Sequence, residues 1–296
     1  LISKPDAPHA TDTLSFTLSK YNNSEKKYTQ QESGSSSGTE AADPSNISRD
    51  ISVNGSYEFA VSSKDSAGNA SSPDEPKSMR FKIDTSNPSF YDFKGVSNNW
   101  VNNLGDITFS VQDQTSSSTS DEETGLKKLA YKIDSNPWKL HSDNSFITGF
   151  KEVEGAQALK DITIPAAKLK ELGEGEHTMA LELTDRVGHV TTTSIIIKYD
   201  TSNPTVSASP ESQTWSTSFS IDLSTNDTGS KIASSKYIWD DSSANCFDYG
   251  TSFGTAGNSS SSVNITEKGL DPGQHNLVVC STDIAGNTFF KESGKE

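Results

Sequence analysis

The feature that most limits what this chain can fold into is a strand-like segment written three times at one spacing. Gly55-Ser56-Tyr57-Glu58-Phe59-Ala60-Val61 leads to Asp65-Ser66-Ala67-Gly68-Asn69. Gly175-Glu176-His177-Thr178-Met179-Ala180-Leu181 leads to Asp185-Arg186-Val187-Gly188-His189, and Gly273-Gln274-His275-Asn276-Leu277-Val278-Val279 to Asp283-Ile284-Ala285-Gly286-Asn287. Glycine and aspartate lie ten residues apart in every copy. Within each copy apolar and polar residues alternate, the two-residue period of a half-buried strand. Tyr57, Phe59 and Val61 share one face, as do His177, Met179 and Leu181, and His275, Leu277 and Val279. Asp-x-x-Gly-[Asn/His] then reads as a turn, because glycine takes positive φ and the aspartate can cap backbone N–H groups.

A second repeat sets the length of the unit. Phe81-Lys82-Ile83-Asp84-Thr85-Ser86-Asn87-Pro88 aligns with Ile197-Lys198-Tyr199-Asp200-Thr201-Ser202-Asn203-Pro204, and proline ends each strand by removing a ladder donor. Leu14-Phe16-Leu18, Ile107-Phe109-Val111 and Phe219-Ile221-Leu223 alternate near the front of the three units, and Lys128 to Asp134 resembles Ser234 to Asp240. Ile162 and Ile164, and later Val263 and Ile265, alternate shortly before the Gly-to-Asp element, whereas Ala166 to Leu172 reads as a single helical turn. Many short strands separated by turn residues predict antiparallel sandwiches. The expected fold is all-β, with tandem immunoglobulin-like domains at residues 1–84, 85–200 and 201–296 arranged as an elongated rod. The first is expected to be irregular, since residues 22–50 are polar with no clear third strand beyond a remnant at Tyr28. The last is expected to lack part of its final strand.

Composition agrees. Only 31% of the 296 residues are hydrophobic, which suits several thin cores better than one large one. The formal charge of −15 disfavours nucleic acid and anionic membrane surfaces, but is compatible with divalent cations or simply with solubility. No apolar run is long enough for a membrane helix, so no direct membrane insertion is expected of this segment. Leu1-Ile2-Ser3-Lys4-Pro5 carries no secretory pattern, and the segment is expected to come from within a longer protein.

With these elements the sequence resembles the bacterial Ig-like tandem repeats of large cell-surface and adhesin proteins. The Gly-x-[Tyr/His] strand, the Asp-x-x-Gly-Asn turn and the closing Asp-Thr-Ser-Asn-Pro carry the resemblance, over most of residues 50–290. It implies an extracellular, cell-surface location and a non-catalytic stalk that meets a host or neighbouring-cell protein or glycan. Some similar adhesins rigidify their linkers with calcium. In an Ig-like sandwich the last strand delivers the chain to the next domain, so Asp84 is expected near Asp113 and Asp185, and Asp200 near Asp227 and Asp283. Such carboxylates can form an oxygen cage for Ca²⁺. The competing reading is that Asp65, Asp185 and Asp283 only cap turns. Asp121-Glu122-Glu123 reads as a solvated loop.

Cys246 and Cys280 are too few for a disulfide scaffold or a zinc site. Strand parity turns Cys280 outward, which predicts one disulfide across the outer face of a sheet, with a free thiol pair as the alternative. His177 and His275 take the place of Tyr57 and are expected to be structural. His9, His141 and His189 lack metal-ligand spacing. Trp100 and Trp215 follow the unit junctions at similar distances and read as core closures, though exposed tryptophans can also stack on sugars. The Asn-x-Ser/Thr sites at Asn22, Asn46, Asn54, Asn69, Asn226, Asn258 and Asn264 follow from composition. No nucleophile elbow, P-loop, dinucleotide fingerprint or His-Glu-x-x-His is present, and no catalytic site is expected. A second reading is a carbohydrate-binding or spacer region of a secreted glycan-active enzyme.

Overall fold

A computed structural model describes residues 12–22, 24–38, 50–64, 67–69, 77–113, 124–155, 158–211, 218–266 and 270–292. His9, Asn46, Asp65, Asp121-Glu122-Glu123 and Trp215 lie outside the described residues.

Residues 12–83 carry β1 (Asp12–Asn22), β2 (Lys27–Gly38), β3 (Gly55–Lys64) and β4 (Lys77–Ile83), antiparallel in the order β2-β1-β3-β4. Leu14, Phe16 and Leu18 of β1 are buried on one face with Tyr57 and Val61 of β3. The sequence matches those three residues to strands at the front of the later units, and the pairing corrects this. β1 pairs with the Gly-to-Asp strand β3, the position that β7 and β14 hold further along. Alternation marks a half-buried strand but does not say which sheet it joins. A second correction concerns the polar stretch after Asn22, where the structure has a strand of 12 residues. Among the described residues β2 lies at the sheet edge and pairs only with β1. Its exposed residues need no apolar rhythm.

Residues 89–199 form a two-sheet sandwich. β5 (Ser89–Lys94), β6 (Ile107–Gln112) and β9 (Leu159–Ile164) make one sheet. β7 (Leu126–Ile133), β8 (Lys139–Leu140), β10 (Gly175–Asp185) and β11 (Val190–Tyr199) make the other, in the order β11-β10-β7-β8. Helix α1 (Ala166–Lys170) is the expected single turn. The core lies between the sheets, with Ile107, Phe109, Val111 and Ile162 meeting Tyr131, Met179, Leu181 and Ile197.

Residues 205–292 repeat this plan. β12 (Thr205–Ser209), β13 (Ile221–Asn226) and β16 (Ser260–Ile265) form one sheet. β14 (Ile232–Trp239), β15 (Thr251–Phe253), β17 (Leu277–Asp283) and β18 (Thr288–Glu292) form the other, in the order β15-β14-β17-β18. The architecture is thus all-β and immunoglobulin-like, with the Gly-to-Asp strand central in its sheet each time.

Several elements have no counterpart in the sequence reading, among them the strands β5, β8, β12 and β15. Helix α2 (Ser243–Tyr249) begins at Ser242, whose side chain accepts a hydrogen bond from the Asn245 N–H. It covers the outer face of β14 and β17, where Cys246, Val278 and Cys280 form a small second core with Ile238 and Phe247. Cys246 and Cys280 form the disulfide there, with Cα atoms 6.1 Å apart across 34 residues of sequence. The bridge fastens the helix to the sheet. Replacing both cysteines by alanine should cost about 2–4 kcal/mol. In calorimetry the transition of residues 205–292 should fall while that of residues 89–199 stays in place; equal losses in both would contradict this assignment.

Candidate cation-binding clusters

The acidic residues follow directly from strand parity. Along β6 the core-facing row is Ile107, Phe109, Val111, and the next residue in that phase is Asp113. The rows of β10, β13 and β17 end the same way: Met179, Leu181, Leu183, then Asp185; Ile221, Leu223, Thr225, then Asp227; Leu277, Val279, Ser281, then Asp283. Each aspartate therefore points inward at the end of a core and is buried. Asp84 and Asp200, just after β4 and β11, are buried as well.

The structure brings Asp200, Asp227 and Asp283 together. One carboxylate oxygen from each lies within 4.8 Å of the others. Asp200 accepts from the Ser202 N–H at 3.0 Å and the Ser230 N–H at 2.6 Å. Gly229 permits this approach, since a Cβ there would stand 2.4 Å from the Asp200 carboxylate. Asp227 accepts from the Lys231 N–H. Asp283 accepts from the Asn287 N–H and from its side-chain amide, both at 2.8 Å, and that amide also donates to the Asp200 carbonyl at 2.9 Å. Burial raises the pKa of Asp227, the Lys231 hydrogen bond opposes the rise, and the charges of Asp200 and Asp283 add to it. No lysine or arginine among the described residues forms an ion pair with any of the three. Three buried carboxylates with only N–H partners are an all-oxygen donor set of the kind a hard divalent cation takes.

At the earlier junction the structure brings Asp84 to Asp185, but the third member is His189, which has Asn287 as its counterpart in the later turn. Asp113, expected in this group, accepts from the Gly125 N–H at 2.6 Å and is not one of the converging residues. Asp84 accepts from the Ser86 N–H, the Thr124 N–H and the Thr124 hydroxyl. Asp185 caps its turn by accepting from the Gly188 and His189 N–H groups, and its other oxygen lies 2.7 Å from His189 Nδ1. Burial lowers the His189 pKa, but the hydrogen bond and charge of Asp185, then the charge of Asp84, raise it more, so the net shift is upward. This cluster holds a group able to balance its charge; the later one does not.

Turn capping and clustering thus coexist at Asp185 and Asp283. The sequence shows no metal-ligand spacing at His189, yet the structure places it in the first cluster; two further His–Asp pairs, at the opposite ends of the same strands, leave no signal in the sequence. Asp134 accepts from the Thr178 N–H and lies 3.0 Å from His177 Nδ1. Asp240 accepts from the Asn276 N–H and lies 2.5 Å from His275 Nδ1. Both aspartates have positive φ, 52° and 54°. Each histidine thus pairs with an aspartate, at the matching positions of Lys128–Asp134 and Ser234–Asp240. Of the tryptophans, Trp100 and Trp239 are half-buried, the latter edge-on to Phe219, and Trp138 is exposed beneath Lys132.

No family model and no curated protein matches the chain. Among solved structures it is similar to a tetra-tandem repeat in the extending region of a large adhesion protein, at 19% identity and a TM-score of 0.35, over 98% of this chain and 67% of that one. It is similar to a 1.5-MDa bacterial ice-binding adhesin at 15% identity and a TM-score of 0.28, over 95% and 84%. Extracellular cadherin domains 1–4 of protocadherin gamma B7 match at 14% identity and a TM-score of 0.34, over 98% and 71%. The immunoglobulin-like fold itself rests on the sheets described above.

The Asp240–His275 pair sets a pH dependence. Hydrogen bonding to Asp240 and to the Asp271 carbonyl raises the His275 pKa, so its contribution is full below 6.5 and is lost as pH rises through the raised value. Bonds from His275 and the Asn276 N–H lower the Asp240 pKa, so that contribution is full above 3.8 and is lost as pH falls through the lowered value. The pair should therefore stabilise most between those limits. NMR titration should find His275 protonating above 6.5, and Asp240→Asn should shift it downward; an unmoved titration in the variant would refute the pairing.

Proposed function

We propose that this chain is a non-catalytic, extracellular structural and adhesive segment of a modular surface protein. Its units, residues 1–84, 85–200 and 201–296, would stand in series as a rod of about 35–45 Å per unit, at ~3.3 Å per strand residue. The convergence of Asp200, Asp227 and Asp283 carries the reading. Three carboxylates buried at the point where the chain passes from one sandwich to the next join Asp200, from the end of one, to Asp227 and Asp283 of the other. A cation there would fix the two together. The all-oxygen set suits Ca²⁺, with Asp200, Asp227 and Asp283 as the ligands this chain supplies.

Repetition supports a structural role. A stalk needs many copies of one unit, whereas a catalytic site needs a constellation that occurs once. No helix among the described residues is long and apolar enough to cross a membrane. A surface location fits the disulfide, which persists in oxidising compartments. The partner this reading requires is a protein or glycan on a host or neighbouring cell.

Calcium should raise the melting temperature of the chelator-treated chain, by about 2.7 kcal/mol in stability at a hundred times the dissociation constant. Asp227→Asn should remove that response. In chelator the same substitution should raise the melting temperature, because it relieves repulsion from Asp200 and Asp283. A calcium response unchanged in this variant, or absent from the parent chain, would refute the metal reading.

A further inference from the structure

The segments between the sheet sets share the sequence Asp-Thr-Ser-Asn-Pro, at 84–88 and 200–204. Their hydroxyl groups and N–H groups are engaged in the same way in both places. The residue immediately before the glycine of the central strand reaches across to them. Asn54 Oδ1 accepts from the Thr85 N–H at 2.7 Å and the Thr85 hydroxyl at 2.6 Å, while Asn54 Nδ2 lies 2.6 Å from the Ser86 hydroxyl. Glu174 repeats this with a carboxylate. Its Oε1 accepts from the Thr201 N–H at 2.8 Å and from the Thr201 hydroxyl, and its Oε2 accepts from the Ser202 hydroxyl at 2.8 Å.

Each segment is also held from the following sheet set. Asp84 accepts from the Thr124 N–H and hydroxyl, and the Pro88 carbonyl accepts from the Thr191 hydroxyl at 2.5 Å. Asp200 accepts from the Ser230 N–H, and its carbonyl accepts from the Asn287 amide. Thr and Ser therefore face the sheet set just completed, while Asp faces the one about to begin. A segment bonded on both sides has little freedom left to bend, since rotating either flank must break several hydrogen bonds at once.

We infer that each Asp-Thr-Ser segment is a splint locked by side-chain hydrogen bonds from both flanking sheet sets, with Asn54 and Glu174 as positioning residues that hold the joint without a metal ion. The inference deepens the stalk reading and rests on it, but does not depend on calcium. The Glu174 pKa is lowered, first by the Thr201 hydroxyl, then by the Ser202 hydroxyl and the Thr201 N–H, as expected of a carboxylate fixed by several donors. In the third copy the residue before the glycine is Pro272, which has no side-chain donor or acceptor.

Asn54 also predicts the conservative rescue. An amide satisfies the same Thr-Ser pair, accepting from threonine and donating to serine, so Glu174→Gln should preserve the splint where Glu174→Ala destroys it. The measurement is residual dipolar coupling on the full chain in chelator, with one alignment tensor fitted to residues 89–199 and another to 205–292. The parent chain and Glu174→Gln should give a common tensor. Glu174→Ala, and the double variant Thr201→Val with Ser202→Ala, should lose it while keeping the amide spectra of both sandwiches. Divergent tensors in the parent chain would overturn the inference, as would a common tensor in Glu174→Ala. Adding calcium separates the two ideas: tensors that diverge in chelator and merge with calcium refute the splint and leave the metal reading standing. A common tensor in chelator with no calcium effect on melting does the reverse.

Discussion

Four strands that build the cores of this protein, β6, β10, β13 and β17, place an aspartate at the core-facing position that follows their buried row. Side chains alternate along a strand, so an acid two residues after Leu183 or Thr225 has no choice but to point inward. A lone carboxylate buried there would be expensive, because the interior solvates it far less well than water. The chain meets this cost with converging backbone N–H groups from tight turns. Where several such carboxylates meet, N–H groups alone do not balance the charge. At the earlier junction His189 stands against Asp185 and can supply it from within. At the later one Asn287 occupies the matching place, and among the described residues Asp200, Asp227 and Asp283 face one another with no cationic side chain.

The placement of these acids connects fold to role. They sit where one sandwich hands the chain to the next, so whatever neutralises them also joins the two. The Asp-Thr-Ser segments add a second tie of a different kind, neutral or singly charged and specific in direction. Core packing holds each sheet set together, and on the proposed reading the ties would carry that order across the joint. Transmitting orientation over distance is what a series of small domains needs if it is to hold something away from a surface.

The strands were legible because alternation is local. Gly175 to Asp185 needs only its own residues to be read as a half-buried strand, and the same parity shows that Asp113 and Asp185 turn inward. What required the fold was register. The pairing of His177 with Asp134 depends on how β10 aligns with β7, and no spacing within either strand reveals it. The sheet that Leu14-Phe16-Leu18 joins is not legible for a related reason, since alternation gives a face but not a neighbour. β2 leaves no apolar signal in the sequence, because an edge strand open to solvent can be built from polar residues. Helix α2 spans seven residues, too few for a helical period to stand out, and its disulfide rather than its sequence pattern marks it. Asn54 and Glu174 left a faint signal, a hydrogen-bonding side chain directly before each glycine that precedes an Asp-Thr-Ser-Asn-Pro segment.

The central claim is that burying three carboxylates together obliges this protein to recruit a positive charge from solution. Crystals of the full chain grown with calcium and then with manganese, an anomalous scatterer, would test it most directly. The account predicts a density peak among Asp200, Asp227 and Asp283 with oxygen ligands at about 2.3–2.6 Å for calcium, and an anomalous signal at the same point with manganese. Carboxylates sharing a proton or a water there, with no metal peak under either condition, would contradict it.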